Sequence, residues 1–398
     1  MNSGKSNIYT LMQDMAEALR TPGMIMLGGG SPALIEKAIE IFQSSLLKVA
    51  KDKELFKSAV CQYSDSAGDV KFRELLADYL NKKQDWKITK DNILVTSGSQ
   101  SAFKMLFEYF TQHKGKIIFP LIPDYIGYGI LAEQDMLGIP GKIKYIDHNK
   151  FRYQISDKLQ TKLDGAGALC ISRPCNPTGG MLEDSELSDL IKLAQAHNLN
   201  LILDNAYGQP LPNIVYKERS LPWAANAIYC LSLSKLGMPG TRTGIVIGNE
   251  QMISTLAVLN ARNALAPGGV GPAMASVLIE NSDLDKLLNE VINPWYAKRK
   301  DQIVGFMDKY FADLPVRYHE VDGGFFNWIF CPQLNTGGHE LYETLKKNKV
   351  VVVPGYAFAP GLKQHWPHLE KCFRISTGQP LELVERGISK IAKVLTDL

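Results

Sequence analysis

From about residue 60 to residue 285, short apolar runs alternate with stretches of helical periodicity. Ile93-Leu-Val-Thr, Ala166 to Ile171, Leu199 to Leu203 and Ala227-Ile-Tyr-Cys-Leu-Ser-Leu are almost continuously apolar. A strand that faces solvent on one side alternates; a strand covered on both sides does not. The segments between them, such as Ser99-Gln-Ser-Ala-Phe-Lys-Met-Leu-Phe and the stretch opened by Leu182-Glu-Asp-Ser-Glu-Leu, read as amphipathic helices. This order predicts an α/β fold, a mostly parallel sheet with helices on both faces. Ahead of it, Ile8, Leu11, Met12, Met15 and Leu19 fall on one helical stripe, read as a docking arm. Behind it, a long helix from Leu284 to Tyr310, kinked at Pro294, leads into a smaller part. There Gly323 to Phe330 and Val350-Val-Val-Val-Pro-Gly read as strands. The predicted division is an N-terminal arm with part of the small domain at 1–45, a large domain at 46–285, and a small domain at 286–398.

Composition narrows the function classes. The 398 residues are 45% hydrophobic, enough for a large core in two domains. A net charge of +3 with signs interspersed offers no basic stripe for nucleic acid. Six cysteines occur without a Cys-x-x-Cys pair or a histidine cluster at ligand spacing. Reduced thiols and no metal are expected, with Cys170 and Cys175 as packing residues. No apolar run reaches the roughly 18–20 residues of a membrane span, and the N-terminus has no signal-peptide core. The expectation is a cytoplasmic protein with no membrane partner.

The chemistry-bearing residues stand at the ends of the apolar runs. Ser232-Leu-Ser-Lys235 follows one of them, with Arg242 seven residues on. A lysine that forms an imine needs a fixed, dry position beside other positive charge, which keeps part of it neutral near pH 7. Hydroxyls and a guanidinium suit a phosphate. Asp204 ends the Leu199–Leu203 run, at the edge where open α/β sheets bind ligands. A carboxylate there would keep a pyridine nitrogen protonated and the ring able to accept electrons. Together these residues describe a pocket for pyridoxal 5′-phosphate, with Lys235 as partner of its aldehyde. Tyr207 and Asn176, in Asn-Pro-Thr-Gly179, could reach the ring's phenolic oxygen. Gly98, Ser99 and Gln100 open a helix whose first-turn N–H groups lack partners, an anion site assigned to the phosphate with Ser232, Ser234 and Arg242. Tyr125, in preference to Tyr128, is expected to stack on the ring. Each segment alone has an ordinary alternative as a surface lysine, helix cap or turn.

The order glycine-turn phosphate loop, Pro-x-x-x-Tyr, Asn-Pro-Thr-Gly, Asp-x-x-Tyr, Ser-x-Ser-Lys and Arg resembles the pyridoxal-phosphate-dependent aminotransferases of class I/II, fold type I. The resemblance covers nearly the whole chain. It implies a mostly parallel seven-stranded large-domain sheet and a smaller α+β domain. It also implies ping-pong transfer of an amino group, with Lys235 as Schiff-base lysine and proton shuttle. By the same likeness Arg374 grips the substrate carboxylate, Tyr63 crosses a homodimer interface to the partner's phosphate, and Gly29 lies over the substrate. Leu19 to Gly30, Pro123 to Tyr128, Asp204 to Gly208 and Leu265 to Met274 resemble members that exchange amino groups among valine, alanine, pyruvate and 2-oxoisovalerate. Cys175, where a threonine is expected, and the loop Ser64 to Asp69 depart from that pattern. Amino acids and 2-oxo acids are therefore the expected small-molecule partners. The alternatives are another specificity, aromatic or kynurenine-type, and a lyase on the same fold. Arg262 is the one candidate for gripping a second carboxylate. A cofactor-sensing regulator would need a DNA-binding domain, for which Met1 to Leu27 is too short. Val353-Pro-Gly-Tyr356-Ala-Phe358 resembles the segment near the substrate side chain, and reads otherwise as small-domain core.

Overall fold

Strand residues in the large sheet alternate between two apolar layers. Leu94, Ile117, Cys170, Ile202 and Cys230 pack into one; Ile93, Ile118, Leu169, Leu201 and Leu231 pack into the other. Successive side chains of a strand point to opposite faces, so a run buried on both must be apolar throughout. The computed structural model describes residues 3–131 and 135–398, the side chains of 3–10 excepted.

The sheet has seven strands in the order Ile93–Thr96, Gly244–Ile247, Ala227–Ser232, Asn200–Asp204, Ala166–Ser172, Lys116–Ile122, Met136–Pro140. Four neighbouring pairs are parallel, and Gly244–Ile247 runs antiparallel to both its neighbours. The connection Leu233–Thr243 explains the reversal, because it is too short for the crossover that a parallel pair requires. That connection carries Lys235, so the chain turns back within one loop of the lysine. Helix Ser99–His113 follows the edge strand Ile93–Thr96 directly.

A second sheet of six strands runs Val353–Pro354, Cys372–Ser376, Phe326–Phe330, Arg317–His319, Lys150–Gln154, Lys142–Tyr145. Its last two strands are a hairpin taken from mid-chain. The N-terminal strand Ile25–Met26 pairs in parallel with Val350–Val351 as a separate two-stranded sheet. In helix Ser3–Ala18, Leu11 and Ala18 are buried and Met15 packs on the core, whereas Met12 and the following Leu19 are exposed. The stripe therefore docks along one edge only. Ile8 lies outside the described side chains.

The long helix is not a single rod bent at Pro294. An α-turn Asp283–Lys286 passes into a π-helical stretch Leu287–Ile292, and α-helix resumes over Asn293–Tyr310. Proline lacks an N–H and its ring crowds the carbonyl four residues back, which the wider turn relieves. Among the described residues, no helix is long and apolar enough to cross a membrane. Nor do any three of their His, Cys, Asp or Glu side chains cluster to hold a metal ion.

Candidate active site

One cavity lies at the C-terminal edge of the parallel strands. Ser99, Gln100, Phe103, Tyr125, Asn176, Asp204, Ala206, Tyr207, Ser232, Ser234, Lys235 and Arg242 line it. Ten of these were expected from the sequence; Phe103 and Ala206 were not. Strands brought into register converge at their ends, so loops far apart in sequence share one edge.

Lys235 sits in a single helical turn, Leu233–Leu236, whose start is capped by the Ser232 hydroxyl accepting the Ser234 N–H at 3.1 Å. The lysine amine donates to the Gly30 carbonyl at 2.9 Å. Its pKa is lowered to about 8, first by burial and then by the charges of Arg374 and Arg242, with Asp204 opposing them. Roughly a tenth of the amine is thereby neutral at pH 7.

Asp204 is almost fully buried. Its carboxylate accepts the Tyr128 hydroxyl at 2.7 Å and the Ala206 N–H at 3.0 Å. Burial raises its pKa to about 6, against the pull of those two hydrogen bonds and of Lys235. It is ionised at pH 7 and confronts a dry environment, the condition under which it would hold a proton on a ring nitrogen.

At the other end of the cavity, Gly98 takes a φ of +91°, and a Cβ there would run into the Arg242 guanidinium. The backbone angle favours glycine, and any side chain there would push the Arg242 guanidinium aside. Arg242 itself is held in the left-handed region at φ 48°. The guanidinium, the hydroxyls of Ser232 and Ser234, and the first-turn N–H groups of Ser99 and Gln100 form a donor set that suits a phosphate dianion. The Gln100 carboxamide does not add to it. Its Nε2 donates to Gly127 O at 3.0 Å, and its buried Oε1, an acceptor, has no partner among the described residues. Only the backbone of Gln100 faces an anion usefully.

Arg374 closes the site from the second sheet. Its guanidinium lies 4.1 Å from the centre of the Phe326 ring and 5.1 Å from that of Phe358. It donates to Asn176 Oδ1 at 2.7 Å and to Gly28 O at 2.6 Å. Asn176 accepts through its oxygen, which leaves its amide N–H groups for a ring oxygen. Gly29 sits between the two glycines whose carbonyls cap Arg374 and Lys235. Tyr207 lies with its ring centre 5.6 Å from the lysine amine, and Phe325 at 5.8 Å. Tyr356 packs on the core at the periphery, partly buried, and Phe358 is fully buried. Tyr63 is 84% exposed and does not line the cavity. Arg262, in the last turn of helix Glu250–Ala264, does not line it either.

Two contributions were not expected from the sequence. Tyr128 entered only as a rival for stacking, yet it is the buried donor to Asp204. The carbonyls of Gly28 and Gly30 carry no side-chain signal at all. Phe358, in the segment expected near the substrate side chain, and Phe326, in an expected strand, both lie against the buried Arg374 guanidinium. Pyridoxal phosphate fits the residues present, since a donor set, a buried carboxylate with no ion pair among the described residues and a partly neutral amine meet in one cavity.

Residues 25–391 match the class I and II aminotransferase family. The valine–pyruvate aminotransferase of Escherichia coli K12 is 38% identical over 395 residues, covering 98% of this chain and 94% of that one. The crystal structure of valine–pyruvate aminotransferase from Salmonella typhimurium LT2 superposes with a TM-score of 0.91 at 36% identity, covering 98% of both chains. A putative amino-acid aminotransferase from Psychrobacter arcticum superposes at 0.94 with 33% identity, over 98% of this chain and 96% of that one.

Proposed function

We propose, on the premise that this chain belongs to the class I and II aminotransferase family, that it moves the amino group between L-valine or L-alanine and pyruvate or 2-oxoisovalerate. What supports the reading most is the Lys235 amine. It is poised at a pKa of about 8, between a buried carboxylate and two arginines.

Pyridoxal phosphate, the cofactor of this family, supplies an aldehyde that captures amines and a ring that accepts electrons from the adjacent carbon. The chain's own groups do the rest. Arg242, the Ser232 and Ser234 hydroxyls and the N–H groups of Ser99 and Gln100 bind the phosphate. Asp204 would hold a proton on the ring nitrogen. Tyr125 would cover the ring, while Asn176 and Tyr207 would donate to its phenolic oxygen. Arg374 exchanges its Gly28 carbonyl for the substrate carboxylate, for which its planar fork is shaped. Lys235 takes the Cα proton as general base and returns it as general acid.

Apolar specificity follows from what surrounds these groups. Among the described residues that line the cavity, Lys235 and Arg242 are the only cations. With Arg242 on the phosphate and Arg374 on the substrate's α-carboxylate, no cation remains for a side-chain carboxylate. Phe325, Phe326 and Phe358, buried behind the site, instead surround Lys235 and Arg374 with apolar rings. We take the enzyme to be a cytoplasmic homodimer in which Tyr63 reaches the partner's phosphate.

The test is the absorbance of the purified holoenzyme between about 300 and 500 nm. A cofactor band that falls on adding L-valine and returns on adding pyruvate is expected. A band that ignores valine but answers another amino acid overturns the substrate; no band even after incubation with the cofactor overturns the enzyme.

A further inference from the structure

Asp124 is a fully buried acid that the chemistry above does not use. No ion pair holds it among the described residues, and it stands next to the residue expected to cover the cofactor ring. Its Oδ1 accepts the Tyr125 N–H at 2.7 Å and also the Ser172 hydroxyl, and its Oδ2 accepts the Ser172 N–H at 3.1 Å. Its own N–H donates to Phe358 O at 3.1 Å. One residue thus ties together three parts of the site. Tyr125 lies beside it, and Ser172 ends the strand that leads into Asn176 and pairs with Asp204. Phe358 is part of the wall around Arg374.

The sheet explains why a carboxylate is needed there. Backbone pairing between strands Lys116–Ile122 and Ala166–Ser172 runs only to Ile118 opposite Leu169. Beyond that point the two strands are no longer in paired register, just where both approach the cavity. The Asp124 side chain supplies the missing acceptor for Ser172. Burying an acid without a cation is expensive, and such expense concentrates at functional sites. Burial raises its carboxyl to about 7, with Asp204 adding to the rise and the Ser172 and Tyr125 donors opposing it. Asp204, Tyr128, Cys170 and Cys175 are the titratable groups that face it.

We propose that Asp124 is a positioning residue for the transaminase reaction, whose carboxylate bridges the ends of two splayed strands and so sets the distance between Tyr125, the Asp204 edge and the Phe358–Arg374 wall. This rests on the aminotransferase reading. In Asp124→Asn the remaining oxygen can still serve Tyr125 and the Ser172 hydroxyl, but the new amide points its hydrogens at the Ser172 N–H. The bridge is broken with little change of volume.

Apoenzyme is titrated with pyridoxal phosphate by tryptophan fluorescence, and the circular dichroism of the bound cofactor band is recorded at 25 °C. Asp124→Asn is expected to weaken cofactor binding about tenfold, a charge-assisted hydrogen bond lost. It is also expected to alter the cofactor's dichroism and raise the KM for valine. A lower melting temperature with affinity and dichroism unchanged means a merely structural role and overturns the proposal. If Asp124→Asn does not fold, Ser172→Ala decides. It removes the hydroxyl alone, and should weaken binding about threefold with the same sign of dichroism change; identity with wild type overturns the bridge. Wild-type protein that binds no cofactor sinks the transaminase reading and this assignment with it, whereas an unchanged Asp124→Asn beside a cofactor-binding wild type sinks the assignment alone.

Discussion

At the scale of single residues the site is a set of groups held away from their comfortable protonation states. Asp204 shows the cost most plainly. Its carboxyl is raised from 3.8 to about 6, by burial first. A group whose pKa is higher folded than unfolded binds more protons in the folded state, so stability falls as pH rises through that window and stays lower above it. Asp204→Asn removes the buried charge and can still accept from Tyr128, although its amide then meets the Ala206 N–H, which offsets part of the gain. The cofactor-free variant is therefore expected to be more stable than wild type at pH 8, by up to about 3 kcal/mol. The two should converge below about pH 4, and the variant should lose transamination because its ring partner no longer favours the protonated nitrogen. Thermal melts across that pH range decide it; a variant that melts lower than wild type at pH 8 contradicts the account.

At the scale of elements, the active-site parts are strand ends and the turns that leave them. The turn from strand Ile93–Thr96 into helix Ser99–His113 works because Gly98 can hold a φ of +91° beneath a guanidinium. Gly98→Ala is expected to displace Arg242, weaken pyridoxal phosphate binding at least tenfold, and destabilise the protein by about 1–3 kcal/mol. Fluorescence titration and melting of the apoenzyme measure both; unchanged affinity would remove Arg242 from the phosphate's partners. These strand–turn–helix units were legible in the sequence because burial on both sheet faces prints itself on composition, and glycine marks the turns. The π-helical stretch before Pro294 was not legible. The proline announces a disturbance, but whether the backbone kinks or widens depends on what packs against it.

At the scale of the whole molecule, Leu46, Leu47, Phe56, Val60 and Tyr63 leave large apolar side chains exposed on consecutive segments of one chain. The proposed pairing of two copies covers surface of this kind. Light scattering is expected to give twice the 44.2 kDa of one chain. Val60→Asp should shift the protein toward monomer and weaken cofactor binding, since Tyr63 then has no partner site to reach; a wild type of single-chain mass contradicts the pairing. Local composition alone set the apolar strands, the turns between them, and the order of lysine, aspartate, asparagine and glycine loop along one sheet edge. All of these follow from local composition and from the rule that strand ends gather in parallel sheets. Packing in three dimensions brought Tyr128 to Asp204 and Asp124 to Ser172. Only there do the Gly28 and Gly30 carbonyls cap Arg374 and Lys235, and a mid-chain hairpin complete the second sheet. Those pairings join segments far apart in the chain through strand register and packing direction, and neither quantity leaves a periodicity that a single sequence can carry.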